Sequence, residues 1–358
     1  MQTPRKSCGR SVRAAALACA AMLTTTLFAF PAHAQTVNLR FHTHVPPVAG
    51  SFKSMSWWAK KVEKDSGGKI KITMYGSMQL GGKPPDLYDQ VRTGVVDLIF
   101  TLPGYTAGLF PATSAFELPF IGAKTPVASA AFDAYVRKWG KKDWSQVHPI
   151  VFHSAGPGVI HMKEHRLEKL ADFQGRKIRT PSRLSTAALK ALGATPVPIP
   201  SLKVTEALMR NVVDGAVLPW SIALAIRTID AAKYHVESTL HEPTLAVLMN
   251  KNSYAKLPPD LKKVIDANSG EWLAIEFGRR WAKDDLRGAG KAKKLGHEII
   301  EISSEEEARW RKASQPVYDE WIKEMDAKGL PGRQMVEDAE RLVAKYRAAE
   351  YRAGNKAK

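Results

Sequence analysis

The sequence predicts an α/β protein of two lobes, and three observations carry that prediction. Strand-like and helix-like segments alternate along most of the chain, the mark of layered α/β architecture. The alternation comes as two successive units, one running from Val37 to Leu102 and one opening at His148. The about 320 residues that follow a leader segment fit two lobes better than one.

The elements follow in order. Val37 to Thr43 alternates apolar and polar residues and reads as a strand. Ser51 to Ser66 sets Phe52, Met55, Trp58, Ala59 and Val62 at helical spacing, and Gly67-Gly68 stops it. Lys69 to Tyr75 is a second strand, Pro84 to Thr93 a helix with proline in its first turn, and Val95 to Leu102 a buried strand. In the second unit, His148 to Ala155 and Lys177 to Arg179 read as strands, and Ser185 to Leu192 as a short helix ended by Gly193. Ser201 to Val212 reads as a helix with Ser201 as its cap, and Val213 to Leu218 and Thr244 to Met249 as apolar strands. Pro196, Pro198 and Pro200 lack too many N–H groups for a central strand, so that stretch is a loop or an edge crossing. Pro259 to Lys294 carries one long helical pattern in which Gly270, Gly278 and Gly288 permit breaks. A strand at His297 to Ile302 follows, then a helix opened by a capping box of Ser304 with Glu307, and a final helix over Met335 to Tyr346.

The leader itself has a basic start (Arg5, Lys6, Arg10, Arg13), an apolar stretch from Ala14 to Phe30, and Pro31-Ala32-His33-Ala34 before Gln35. That is a secretory signal with an A-x-A type cleavage site. The run is short for a retained membrane helix and lacks a stop-transfer flank. A lipoprotein at Cys19 would need a longer apolar run before the cysteine. Cys8 and Cys19 both lie in this segment, so the exported chain is expected to hold no disulfide and no thiolate chemistry.

The net charge of +18 falls to +14 without the leader, from 49 basic against 35 acidic residues. The basic residues are spread along the chain and show no aromatic–basic interleaving, so nucleic acid is not the expected partner. A basic surface attracts small anions. The usual enzyme motifs are missing: no G-x-S-x-G elbow, no P-loop, no G-x-G-x-x-G at a strand–helix turn, no H-E-x-x-H. His42-Thr43-His44 would place two imidazoles on one strand face, a weak metal signal that is more simply two polar residues at a strand end. No metal and no cofactor are expected.

Candidate site residues come from strand ends, because ligands of open α/β sheets sit beyond the carboxyl ends of the strands. Arg179 ends the strand Lys177-Ile178-Arg179, and a guanidinium there can grip a carboxylate with two parallel N–H···O bonds. Trp220 and Leu218 stand at the end of Val213 to Leu218, and Tyr105 follows Pro103-Gly104. His44 lies at the end of the first strand. His153 opens the run His153-Ser154-Ala155-Gly156-Pro157-Gly158, whose glycines permit a hinge or a close backbone approach between the lobes. Arg183 is a further, more solvated possibility.

These residues fall in a pattern that resembles the binding proteins of tripartite ATP-independent periplasmic (TRAP) transporters, the DctP-type family. The segment LADFQGRKIRTPSRLSTAALKALGATPVPIP, then KVTEALMRNVVDGAVLP, carries it; GSMQLGG, the FELPF run after Tyr105 and AVLMNKNSYAKLPPDLKKVID add to it. The resemblance implies a type II-like periplasmic-binding-protein fold, with mixed sheets joined by crossing strands and a long helix spanning both lobes. It implies a periplasmic, non-enzymatic protein that closes on a small organic acid and hands it to the membrane permease subunits. It also implies that Arg179 grips the carboxylate. On that basis residues 35–153 with 244–275 form one lobe, 154–243 with 276–330 the other, and 331–358 a C-terminal helix and basic tail, after a signal peptide over 1–34. The protein is expected to be a monomer or weak dimer.

Two departures from the family pattern shape the ligand. Many relatives carry Glu-Asn where Val217 and Leu218 stand, and sugar-acid binders carry an arginine near Val159. The expected ligand is therefore a monocarboxylate with an apolar or aromatic body, such as a 2-oxo, 2-hydroxy or aromatic acid. A receptor for a sensor kinase is the alternative role, with a periplasmic hydrolase or lyase behind it.

Overall fold

The computed structural model describes residues 1–2, 36–106 and 108–356; the signal segment, with Cys8, Cys19 and the cleavage site, falls outside that range apart from its first two residues. The elements below lie in the compact unit Val37–Lys358.

The first half builds β1 (Val37–Thr43), α1 (Gly50–Asp65), β2 (Ile70–Tyr75), α2 (Leu87–Thr93), β3 (Leu98–Thr101), α3 (Thr125–Trp139) and β4 (Val147–Ser154). Next come β5 (Val159–Met162), β6 (Lys177–Thr180), α4 (Arg183–Ala191), β7 (Thr195–Pro198), α5 (Val204–Met209), β8 (Gly215–Leu218), α6 (Trp220–Ala225) and β9 (Tyr234–Glu237). The chain ends through β10 (Thr244–Asn250), α7 (Lys251–Ala255), α8 (Pro259–Ala267), α9 (Glu271–Lys294), β11 (Glu298–Glu301), α10 (Ser304–Ala327) and α11 (Gly332–Lys356).

Two mixed sheets result, ordered β2-β1-β3-β10-β4 and β11-β9-β5-β8-β6-β7. The first is parallel from β2 to β3 and antiparallel on both sides of β10. Apolar side chains cover both of its faces. One face packs Phe41, Trp58 and Phe277, the other Phe116, Phe132 and Phe152 beneath α10 and α11. The second sheet is likewise enclosed, by a cluster around Phe173, Leu189 and Trp310 and another around Val204, Leu208 and Ile229.

Three segments join the sheets: residues 155–158 between β4 and β5, residues 238–243 between β9 and β10, and α9, which packs on α1, α3 and β4 and also on α6 and β11. Close approach explains the glycines here. A Cβ on Gly158 would sit 2.8 Å from Val217 Cγ1, and one on Gly288 would sit 2.5 Å from the Trp220 carbonyl oxygen.

Two helix starts differ from expectation. The helix expected over Ser201 to Val212 begins only at Val204, and Ser201 caps nothing; it lies in a short 3-10 turn. The capping serine of α10 is Ser303, whose hydroxyl accepts from the Glu306 N–H, one residue before the expected pair. The long pattern over Pro259 to Lys294 breaks into α8 and α9 at Gly270, one of the three glycines expected to permit it, where φ is +83°. The Pro196 stretch takes the edge place expected of it, as strand β7, which needs no N–H on its outer side.

Candidate functional site

The carboxyl ends of β1, β3, β6 and β8 converge on a cavity of about 440 Å³, including its solvent-open part. His44 and Val45 come from beyond β1, Leu102 and Tyr105 from beyond β3, Pro181 from beyond β6, and Leu218 and Pro219 from the end of β8. Trp281 of α9 and Leu245 of β10 complete an apolar wall with Phe100.

Arg179 lines this cavity and is only 1 % exposed. It pairs with Ala216 of β8 and Val197 of β7, while its neighbour Ile178 points into the core on the other side. Its Nε donates to the Ile199 carbonyl at 2.7 Å and its Nη1 to the Val217 carbonyl at 2.9 Å. Those two bonds fix the plane of the guanidinium and leave three of its five N–H donors for other partners. Burial pulls its pKa down to about 10, with the Tyr105 phenol pushing the other way. The group stays cationic at neutral pH, and a buried cation is stable only when an anion or acceptor shares its site.

Tyr105 stands against Arg179, and burial raises its phenol. Its ring meets the His44 imidazole edge to face, centroids 5.4 Å apart, and His44 in turn stacks on Phe100 at 6.1 Å. Burial holds the His44 pKa down to about 4, so its ring is neutral. His42 does not join it. Both His42 ring nitrogens are occupied, by the Gln90 side chain at 2.7 Å and the Leu80 N–H at 3.3 Å, because β1 ends at Thr43 and the chain turns before His44. Among the described residues no cluster of three or more metal-capable side chains stands together.

The structure thus brings Arg179, Tyr105, His44 and Leu218 to one cavity. It sets Trp220 and His153 elsewhere. The Trp220 ring opens α6 and packs against His161 and His235, at 5.0 and 4.7 Å, with its indole N–H donating to Glu237 at 2.7 Å. His153 stands behind the wall, stacked on Phe100 and tilted on Trp281. Arg183 is exposed and paired with Glu324. Sequence reasoning missed Phe100, Trp281, Ser201 and Ile222 as lining residues. Only the position of Phe100 near a strand end hinted at one of them.

Beside the crossing segments lies a buried carboxyl. Glu242 Oε2 accepts from the Ala123 N–H at 2.9 Å, and Oε1 accepts from the Ser154 hydroxyl, whose oxygen takes the Gly156 N–H at 2.9 Å. Burial raises its pKa to about 7, with Asp285 adding to the rise and these hydrogen bonds opposing it. Between pH 4.5 and about 7 the folded chain therefore holds this proton more than the unfolded chain does, so stability falls as pH rises through that window. Glu242→Gln is expected to unfold at higher temperature than the parent near pH ~8, by up to ~3 kcal/mol, with the gap closing toward acid. Thermal melts across pH check this, and a gap that ignores pH contradicts it.

Comparison with known proteins gives a consistent picture. Residues 41–324 match the model of the DctP family, bacterial extracellular solute-binding protein family 7. The C4-dicarboxylate-binding periplasmic protein DctP of Rhodobacter capsulatus is 24 % identical over 84 % of this chain and 91 % of its own length. The crystal structure of a TRAP solute-binding protein from Rhodoferax ferrireducens, in complex with copurified benzoate, is 36 % identical with a TM-score of 0.86, covering 88 % of this chain and all of that one. A marine metagenome TRAP solute-binding protein from an unidentified microbe, specific for aromatic acid ligands and crystallised with 3-hydroxybenzoate, is 38 % identical with a TM-score of 0.85, over 87 % of this chain and 99 % of that one.

Proposed function

The chain belongs to bacterial extracellular solute-binding protein family 7, the binding-protein family of TRAP transporters, and from that membership we propose that it captures an aromatic or compact apolar monocarboxylate through Arg179. Proteins of this family are extracytoplasmic binders of small organic acids that work with membrane permease subunits. They are solute-binding proteins, not enzymes.

One observation carries the finer reading. Among the described residues that line the cavity Arg179 is the one fully charged side chain, and nearly everything around it is apolar or aromatic. A ligand must therefore bring a single negative charge and a body content with Phe100, Leu102, Val217, Ile222 and Trp281. The benzoate and 3-hydroxybenzoate of the two similar structures have that character. In this reading residues 35–153 with 244–275 make one lobe and 154–243 with 276–330 the other, and the acid is trapped as they shut.

Mass spectrometry of small molecules released from the purified protein tests the proposal. The expected species is an aryl or branched monocarboxylic acid. A sugar acid or a dicarboxylate in stoichiometric amount would overturn it.

A further inference from the structure

Two residues that line the cavity each carry a buried polar atom without a partner. His44 Nδ1 and Trp281 Nε1 are buried without a hydrogen bond, and both residues line the cavity at 5 % exposure. A buried donor or acceptor left unpaired is costly, so a wall that carries two of them is adapted to something that fills the space beside it.

Both belong to the same aromatic surface. His44 stacks on Phe100, Phe100 on His153 at 5.7 Å, and His153 lies 5.7 Å from Trp281. That surface comes from the first sheet and α9, whereas Arg179 comes from the second sheet. We infer that His44 reads a hydroxyl on the body of the ligand, a group distinct from the carboxylate that Arg179 takes, with Trp281 as the second donor on that wall. This deepens the aryl-acid reading above and rests on it.

The chemistry narrows the group. A neutral imidazole offers one N–H and one lone pair, and the indole offers an N–H only. A hydroxyl both donates and accepts, so it suits the unpartnered Nδ1 of His44 in either tautomer and can also accept from Trp281. A methyl or halogen substituent answers neither atom. A second carboxylate would meet a neutral ring with no countercharge, since burial keeps His44 unprotonated at neutral pH. The ligand is therefore a hydroxylated aryl monocarboxylate.

Calorimetric titration of the exported protein with benzoate and its three monohydroxy isomers tests this, using the parent, His44→Phe and Trp281→Phe. In the parent, at least one isomer binds about tenfold tighter than benzoate, the worth of one or two hydrogen bonds. His44→Phe, which keeps the ring shape, brings that ratio to about one, and Trp281→Phe lowers it. Equal affinity of the parent for benzoate and every isomer overturns the inference whatever the variants do, because it means that water alone satisfies the wall. A ratio unchanged in His44→Phe also overturns it. Failure of all four acids to bind would instead remove the aryl-acid reading beneath it.

Discussion

Arg179→Ala is expected to lose carboxylate binding while the protein stays folded. Truncating one partner of a desolvated charge pair costs about 2–5 kcal/mol, a factor of roughly 30 to several thousand in Kd. The upper part of that range applies here, because the cavity lining holds no second cation to take over and Val217 and Leu218 supply no polar side chain. Folding should survive: the guanidinium makes two bonds to backbone carbonyls, but its burial is itself unfavourable without an anion. Arg179→Lys should also bind poorly. A lysine keeps the charge but loses the planar fork that Ile199 and Val217 hold in place. Titration of benzoate into each variant, with a thermal melt as the folding control, checks both. Retention of parent-like affinity by the lysine variant would mean that charge alone suffices.

Sugar acids should fail by a comparable margin. A uronic acid could place its carboxylate on Arg179, but its ring hydroxyls would face Phe100, Leu102, Ile222 and Leu245. Each hydroxyl buried without a partner costs about 1–3 kcal/mol. Tyr105, Ser201, His44 and Trp281 can satisfy some of them, and each one left unpaired against the apolar wall adds that cost. Glucuronate is expected to give no thermal shift at concentrations where benzoate gives a clear one. A larger shift with glucuronate would show that the wall is wetter and more adaptable than its lining implies.

The parts of the site that follow from local order in the chain were legible in the sequence. Arg179 sits at a strand end inside a K-I-R-x-P motif, and the structure buries it in the cavity. Tyr105, His44 and Leu218 also follow from strand ends, since chain termini of parallel strands point the same way. Trp220 does not, because a helix starts at that residue and turns its ring toward His161 and His235. His153 fails by side-chain direction, which puts it behind Phe100 rather than before it. Trp281 was illegible as a site residue because only the folded path of α9 across both sheets brings it to the strand ends. The helix start at Ser303 shows a different limit. Ser303 with Glu306 and Ser304 with Glu307 fit the same pattern, and only packing of Glu306 against Leu170 and Trp310 decides between them.

The path from sequence to role narrows to the partner of one buried guanidinium. A crystal structure of the protein with benzoate examines that partner directly. The acid should lie among Phe100, Leu102 and Trp281 with a carboxylate oxygen about 2.7–2.9 Å from an Arg179 nitrogen. A structure in which benzoate binds elsewhere, and Arg179 still touches only Ile199 and Val217, would contradict the account.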